Sequence, residues 1–576
     1  MFPKPVWGRF RRSSRPDPAR FRVRPRRLLG CYRYVRLRWR LLFAAIDCLG
    51  WLLFGPARLL GRAAKLVRPA ASSTSPNPED IKRILVIQLD HLGDAVLSTG
   101  FLASLAAVYP AARLDVLAAP WNAAVFRMCP GVRRVRVLHR NRFAAGGGWN
   151  WIAALVRCAW HLRRCRYDVA IDVRGEFPHA LLMWLAGARH RIGWNCGGGG
   201  FLLTHSAAFH RGRHEVLSRL ALLRLLVSAT EDDVAPRIRP AAKAVASVQR
   251  RLNEVGLPIA AATEPDARSG PLVVMHVGSG TQAKRWPAWH WRELLGRLIV
   301  THNAQVVLVG VASEAHVSRQ VLAGGALNNV VDWTGQLSLA ELAALLARCD
   351  LFIGADSGPA HLAAAVGART VAIFSGTNHP HQWAPWGRAV SLLCRPPACS
   401  PCHRQQCALA DHPCMVGVQP GEVAAIAAEH LQAAGFAAQV DFSHEASPVL
   451  VQLGDPGNSG RRRHPPDRSA RADQHTVMGS KPAGIPGQEP AELEILQPIV
   501  SAFEPGGPDG QTPADAIPHD VSPSPPSTPD GKPRVYRVDG PHRIHRRAYQ
   551  GRLMASDLPQ RPEAGISHDN QEHGSV

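Results

Sequence analysis

From Ile81 onward one hydrophobic pattern repeats. A short apolar run is followed by a turn, and the turn by a stretch whose apolar residues recur at helical spacing. RILVIQL (Arg83–Leu89) predicts a buried strand, DHLGD (Asp90–Asp94) a turn, and AVLSTGFLASLAAVYP a helix. Further strands are predicted at Ala112–Pro120, VRRVRVL, YDVAIDVRG (Tyr167–Gly175) and HRIGW, with helices over Trp151–Arg164 and HALLMWLAGA. Helices over His214–Ser228 and Ala241–Val255 lead into a second series. This opens with PLVVMHVGSG (Pro271–Gly280) and continues through KRWPAWHWRELLGRLIV, AQVVLVG (Ala304–Gly310), a helix from Ser313 to Ala323, NVVDWTG and SLAELAALLARC. PGEVAAIAAEHLQAAG (Pro420–Gly435) is a last amphipathic helix. Strands alternating with helices in this way predict an α/β chain of two doubly wound parallel sheets. Ligands are then expected beyond the carboxyl ends of the strands.

The second series culminates in DLFIGADSGPAHLAAAVGARTVAIF (Asp350–Phe374), which reads strand, tight turn, helix, loop, strand. Pro359 suits the start of the helix and Gly367 its end. Asp356 or Ser357 is expected to cap the first amides. A helix start that opens at a strand end can hold a phosphate through its N–H groups and dipole. Asp356 and Ser357 can bind hydroxyls, and His361 lies one turn further in.

Composition confines the folded part. Of the chain's 576 residues and formal charge of +24, the first 70 residues hold 18 Lys and Arg against Asp17 and Asp47. The high charge therefore belongs to an N-terminal arm. With Trp39, Trp51 and the apolar run Leu41–Gly55, residues 1–70 read as a segment for an anionic membrane surface. That run is short for a bilayer span. Nucleic acid is not an expected partner, because no reader motif accompanies the charge. Beyond Ser443 the chain is rich in Pro, Gly, Ser and charge and predicts a disordered tail. The expected organisation is an arm and linker over 1–80, domains over 81–240 and 241–442, and the tail over 443–576. Twelve cysteines in such a length form no disulfide scaffold, and no cleavable secretory signal is seen, so a cytoplasmic chain with reduced thiols is expected. Five cysteines cluster between Cys394 and Cys414, and Cys399, Cys402, Cys407 and Cys414 have a spacing compatible with a structural zinc site. Reduced thiols or a reversible disulfide are the alternatives.

Five polar residues fall at strand ends, and each has an ordinary use beside a chemical one. Asp94 can be a general base or a helix cap. Lys284 can meet a phosphate or stand in solvent. Glu314 can bind a ribose or cap its own helix. Asp356 and His361 belong to the helix start already described. Two facing sheets would bring all five to one cleft.

These motifs together resemble glycosyltransferase family 9, the bacterial heptosyltransferases of the lipopolysaccharide core. The resemblance rests on LVIQLDHLGDAVLSTGFLASLAAVYP, HVGSGTQAKRWPAWHWREL, VVLVGVASE, GADSGPAHLAAAVGARTVAIFSGT and CSPCHRQQCALADHPCM, within about Lys82 to Gly435. It implies a GT-B fold, two Rossmann-like domains facing a central cleft. It also implies inverting transfer from an ADP-heptose type donor to a lipid-linked saccharide, on the cytoplasmic face of the inner membrane. In that resemblance Asp94 matches the catalytic base and Lys284 the lysine at the donor phosphate. Glu314 matches the residue at the nucleoside, while Asp356, Ser357, Gly358 and His361 match the donor-binding motif. GVASE departs from the more glycine-rich family form. No D-x-D motif is present for a catalytic metal, so no catalytic cofactor is expected. Transfer to another cell-surface glycan, or nucleotide binding without catalysis, are the alternative readings.

Overall fold

The computed structural model describes residues 37–67, 78–138, 150–227 apart from 211, 229, 234–257, 270–323, 329–436, 534–539 and 543–548. The first 36 residues, the linker after 67, the 140–149 loop and most of the tail lie outside the described residues. The first sheet is built from β1 (Arg83–Gln88), β2 (Arg113–Ala118), β3 (Arg134–Val137), β4 (Val169–Asp172), β5 (His190–Trp194) and β6 (His205–Ala207). Its order is β3-β2-β1-β4-β5-β6, and every pair is parallel. The second contains β7 (Leu272–His276), β8 (Gln305–Val309), β9 (Val330–Asp332), β10 (Leu351–Ala355), β11 (Thr370–Phe374) and β12 (Val390–Cys394). Their order, β9-β8-β7-β10-β11-β12, repeats the first topology strand for strand. In each sheet the order reverses beside the opening strand, between β1 and β4 and again between β7 and β10. A crevice opens at such a reversal because successive helices leave toward opposite faces.

Strands β1, β7, β10 and β11 are almost entirely buried, which explains their unbroken apolar runs. Two strands were not expected from sequence, the three-residue β6 and the fully buried β12. β13 (Arg534–Asp539) and β14 (Arg543–Ala548) form a hairpin that pairs antiparallel with β12. The Val, Tyr and Ile of the hairpin favour strands, and Asp539-Gly540-Pro541 is a turn sequence.

The helix expected after DHLGD starts earlier and breaks once. It runs over Leu92–Leu97 and resumes over Thr99–Val108. At the break the Ser98 hydroxyl donates to the Asp94 carbonyl at 2.8 Å and the Thr99 hydroxyl to the Val96 carbonyl at 2.7 Å. Such back-bonding competes with the helical ladder. Asp94 thus sits inside the first helical turn.

One apolar core runs through both units, including Val96 and Leu97 of the first and Leu362 and Ala363 of the second. The units meet where helix Gly358–Val366 packs on helix Leu92–Leu97. A Cβ at Gly358 would stand 2.5 Å from Leu92 Cδ2, so only glycine permits this approach. Around the contact, His214 Nε2 donates to the Ala384 carbonyl at 3.0 Å, and Gln382 Nε2 donates to Glu215 Oε1 at 3.1 Å.

Candidate active site

The site is best followed from each sheet's crevice. Beyond β1, the Asp90 carbonyl accepts from Asn122 Nδ2 and Trp121 Nε1, both at 2.8 Å, which holds the loop into Asp94. Beyond β4, the buried Asp172 carboxylate gathers the N–H groups of Arg174, Gly175 and Glu176 at 2.9–3.0 Å and His179 Nδ1 at 3.0 Å. The turn so fixed presents Arg174, whose Nη1 lies 2.5 Å from Asp90 Oδ1. Burial pushes the Asp90 carboxyl up to about 6, with Asp94 adding and Arg174 opposing. Asp94 itself is buried, and Arg219 Nη2 approaches its Oδ1 to 4.0 Å. Arg219 also pairs with Glu215 and donates to Ser98. The helix-cap position belongs to His91, so Asp94 is not the N-cap residue.

On the second sheet, Lys284 ends a short 3₁₀ turn beyond β7, and its Nζ lies 2.7 Å from Asp356 Oδ2. Asn378 Nδ2 donates to the same oxygen at 3.3 Å. Ser357 is the N-cap residue of helix Gly358–Val366, but no side chain caps it, contrary to the expectation for Asp356 or Ser357. Asp356 is drawn instead to Lys284. The Ser357 hydroxyl lies 3.2 Å from His276 Nδ1 and donates to the Ala355 carbonyl at 3.1 Å.

His276 reaches the other way as well. Its Nε2 lies 3.2 Å from Glu314 Oε2, an oxygen that also accepts the Val311 N–H at 2.9 Å. Glu314 therefore closes its own turn, the capping use open from sequence, and through His276 it is linked to Ser357. Burial alone would push its carboxyl up. The His276 bond, the Val311 N–H and Arg285 outweigh burial and hold it below the usual range. Gly278 makes room for it, since a Cβ there would fall 2.1 Å from Glu314 Cδ. Sequence reasoning missed His276. A histidine at the end of a fully apolar strand, just before a Gly-Ser-Gly turn, was the available signal.

His361 is buried against the opposite unit, its Cδ2 2.9 Å from where a Cβ on Gly93 would lie. Burial pushes its imidazole down to about 4, with Asp356 opposing and Lys284 adding, and burial likewise brings His214 to about 4. The sign follows from linkage. An unfolded histidine protonates near 6.5 while these two resist until about 4, so stability is complete above 6.5 and lost as pH falls toward 4. For His214 the loss between pH 7.5 and pH 5 is about 2 kcal/mol. His214→Gln can still donate to the Ala384 carbonyl, and its unfolding free energy should fall by about that much less over the same interval. Chemical denaturation at the two pH values checks this, and equal losses in both proteins would count against it.

Among the described residues no three His, Cys, Asp or Glu side chains are grouped to hold a metal ion. Cys414 is buried in helix Pro413–Val416, whereas Cys399 is exposed, and all described cysteines are unbridged. Burial pushes the Cys414 thiol up, with Cys407, Cys402 and Cys399 adding to the effect.

Two matching Rossmann-like sheets, each with polar residues at its switch point, form the GT-B arrangement. Residues 155–412 match the model of glycosyltransferase family 9 (heptosyltransferase). It is 28% identical over 306 residues to lipopolysaccharide heptosyltransferase 2 of Salmonella typhimurium, covering 51% of this chain and 83% of that protein. It is 26% identical over 334 residues to lipopolysaccharide heptosyltransferase 1 of Pseudomonas aeruginosa, covering 56% and 87%. Among solved structures, the family 9 glycosyl transferase of Veillonella parvula shares the fold, with a TM-score of 0.53, 21% identity, and coverage of 63% of this chain and 100% of that one.

Proposed function

We propose that this chain is an inverting, metal-independent heptosyltransferase that moves a heptose from an ADP-activated donor to a lipid-linked acceptor of the lipopolysaccharide-core type. One observation carries the reading: Asp94 at one switch point and the helix start Asp356–His361 at the other belong to elements in direct contact. In this mechanism Asp94 takes the proton of the acceptor hydroxyl as its oxygen attacks the anomeric carbon. The new C–O bond forms as the bond to the diphosphate breaks on the opposite face. The departing diphosphate collects negative charge, which Lys284 and the amides at Gly358 stabilise. Glu314 holds the nucleoside end, and Ser357 and His361 complete the donor pocket. The names of the curated relatives and the absence of a D-x-D motif support the donor class and the lack of a catalytic metal. The arm over residues 1–70 would keep the enzyme on the cytoplasmic face of the inner membrane, beside its acceptor.

Purified protein incubated with ADP-heptose and a heptose-free core acceptor should release ADP and add one heptose mass, with inverted anomeric configuration and no loss in chelator. Retention of configuration, or no ADP release with this donor, would overturn the assignment. His276 supplies a subtler expectation. Since it joins Glu314 to Ser357, His276→Ala should raise the donor KM about tenfold, near 1.4 kcal/mol, with a smaller effect on kcat. An unchanged donor KM would remove it from the pocket.

A further inference from the structure

Helix Leu37–Val67 precedes the first sheet and lies against its unit. Its inward positions, Phe43, Ile46, Asp47, Gly50 and Phe54, recur at the spacing of one helical face. Asp47 is fully buried, and its Oδ1 accepts the Gly199 N–H at 2.7 Å. Phe54 packs on Phe201 with ring centroids 5.5 Å apart and tilted, and it meets Trp184 edge-on at 5.7 Å. This face is docked, and its one acidic group is spent on the protein.

The opposite face is apolar too. Leu49, Leu52 and Leu53 are 58%, 73% and 64% exposed, and Leu41 is comparably open. A helix that is hydrophobic all round belongs in a protein core or in lipid, because each leucine left in water forfeits the free energy of burial. Elsewhere in the same unit, helix Asn150–Arg164 packs on helix Phe177–Leu185 and exposes Val156 and Trp160. Within Leu41–Gly55 Asp47 is the only charged residue, whereas Arg38 and Arg40 precede the run and Arg58, Arg62 and Lys65 follow it. A leucine surface bounded by cations at both ends matches the acyl boundary and headgroups of an anionic bilayer. No helix of the described residues is long and apolar enough to cross a membrane. The docked inner face also fixes this one parallel to the protein surface.

We infer that the outer leucine face of helix Leu37–Val67 is an insertion surface for an anionic lipid bilayer, holding the first domain on the membrane by apolar burial as well as by charge. The inference rests on the reading of residues 1–70 as the membrane arm and adds the element that enters the lipid. The experiment is vesicle flotation of the full chain with phosphatidylglycerol–phosphatidylethanolamine, at low and at 0.5 M salt. High salt screens the cations but leaves apolar insertion intact. Wild type should float under both conditions. The triple variant Leu49→Ser/Leu52→Ser/Leu53→Ser should lose at least tenfold in bound fraction at high salt while keeping its transfer rate on a water-soluble acceptor. The single variant Leu52→Asp, at the most exposed position, should lose binding in the same direction and guards against a misfolded triple variant. Equal flotation of wild type and both variants at high salt would overturn insertion and leave the electrostatic reading standing. No flotation of wild type in low salt would overturn both readings. A lipid-free dimer abolished by Leu52→Asp would assign the stripe to a second copy of the chain and overturn the inference.

Discussion

Asp94→Asn should lower kcat for sugar transfer by about 10²–10⁴-fold, the usual contribution of a positioned general base, while donor-nucleotide binding stays near wild type. The substitution preserves shape and removes only the ability to accept a proton. The side chain is buried beside Arg219 and close enough to Asp90 and Arg174 to alter their ionisation. Charge loss there will be felt locally, so a thermal melt must accompany the rate measurement. Calorimetric titration with ADP separates the two roles, because the residues proposed to face the nucleotide belong to the other sheet. Turnover unchanged in a folded Asp94→Asn protein would remove Asp94 as the base.

Lys284→Met should cost about 10²–10³-fold in kcat/KM, as expected for loss of a preorganised charge at a departing diphosphate. It also strips Asp356 of a partner 2.7 Å away, leaving a buried carboxylate with less compensation. Breaking such a pair destabilises the fold by roughly 2–4 kcal/mol, discounted here because Lys284 keeps partial contact with solvent. The double variant Lys284→Met/Asp356→Asn distinguishes the two effects. It should recover much of the stability, since no uncompensated charge remains, yet stay as inactive as the single variant. Recovery of activity together with stability would show that Lys284 acts only as the structural partner of Asp356.

The sequence was most informative where strands are buried on both faces. β1, β7, β10 and β11 have no solvent side, so they read as continuous apolar runs with chemistry placed directly after them. That is why Asp94, Lys284, Glu314 and Asp356 were legible as a set. What escaped was long-range and polar. Arg219, 125 residues after Asp94, reaches it only because helix Glu215–Leu223 folds back against that segment. Asp90 looked like a turn residue, and its raised carboxyl depends on the burial supplied by the β4 loop. The His276 bridge needs β7, β8 and β10 side by side before its two nitrogens find partners.

The close seating of Gly358 on Leu92 has a consequence for the tempo of the enzyme. The contact that brings the two switch points together also narrows the way in for a bulky saccharide and the way out for a nucleoside diphosphate. In the proposed reaction the jaws would part at each turnover, releasing and remaking the His214–Ala384 and Glu215–Gln382 bonds. A β-carbon at position 358 would act as a doorstop, holding the jaws ajar and slowing the sugar's handover while leaving Asp94 in place.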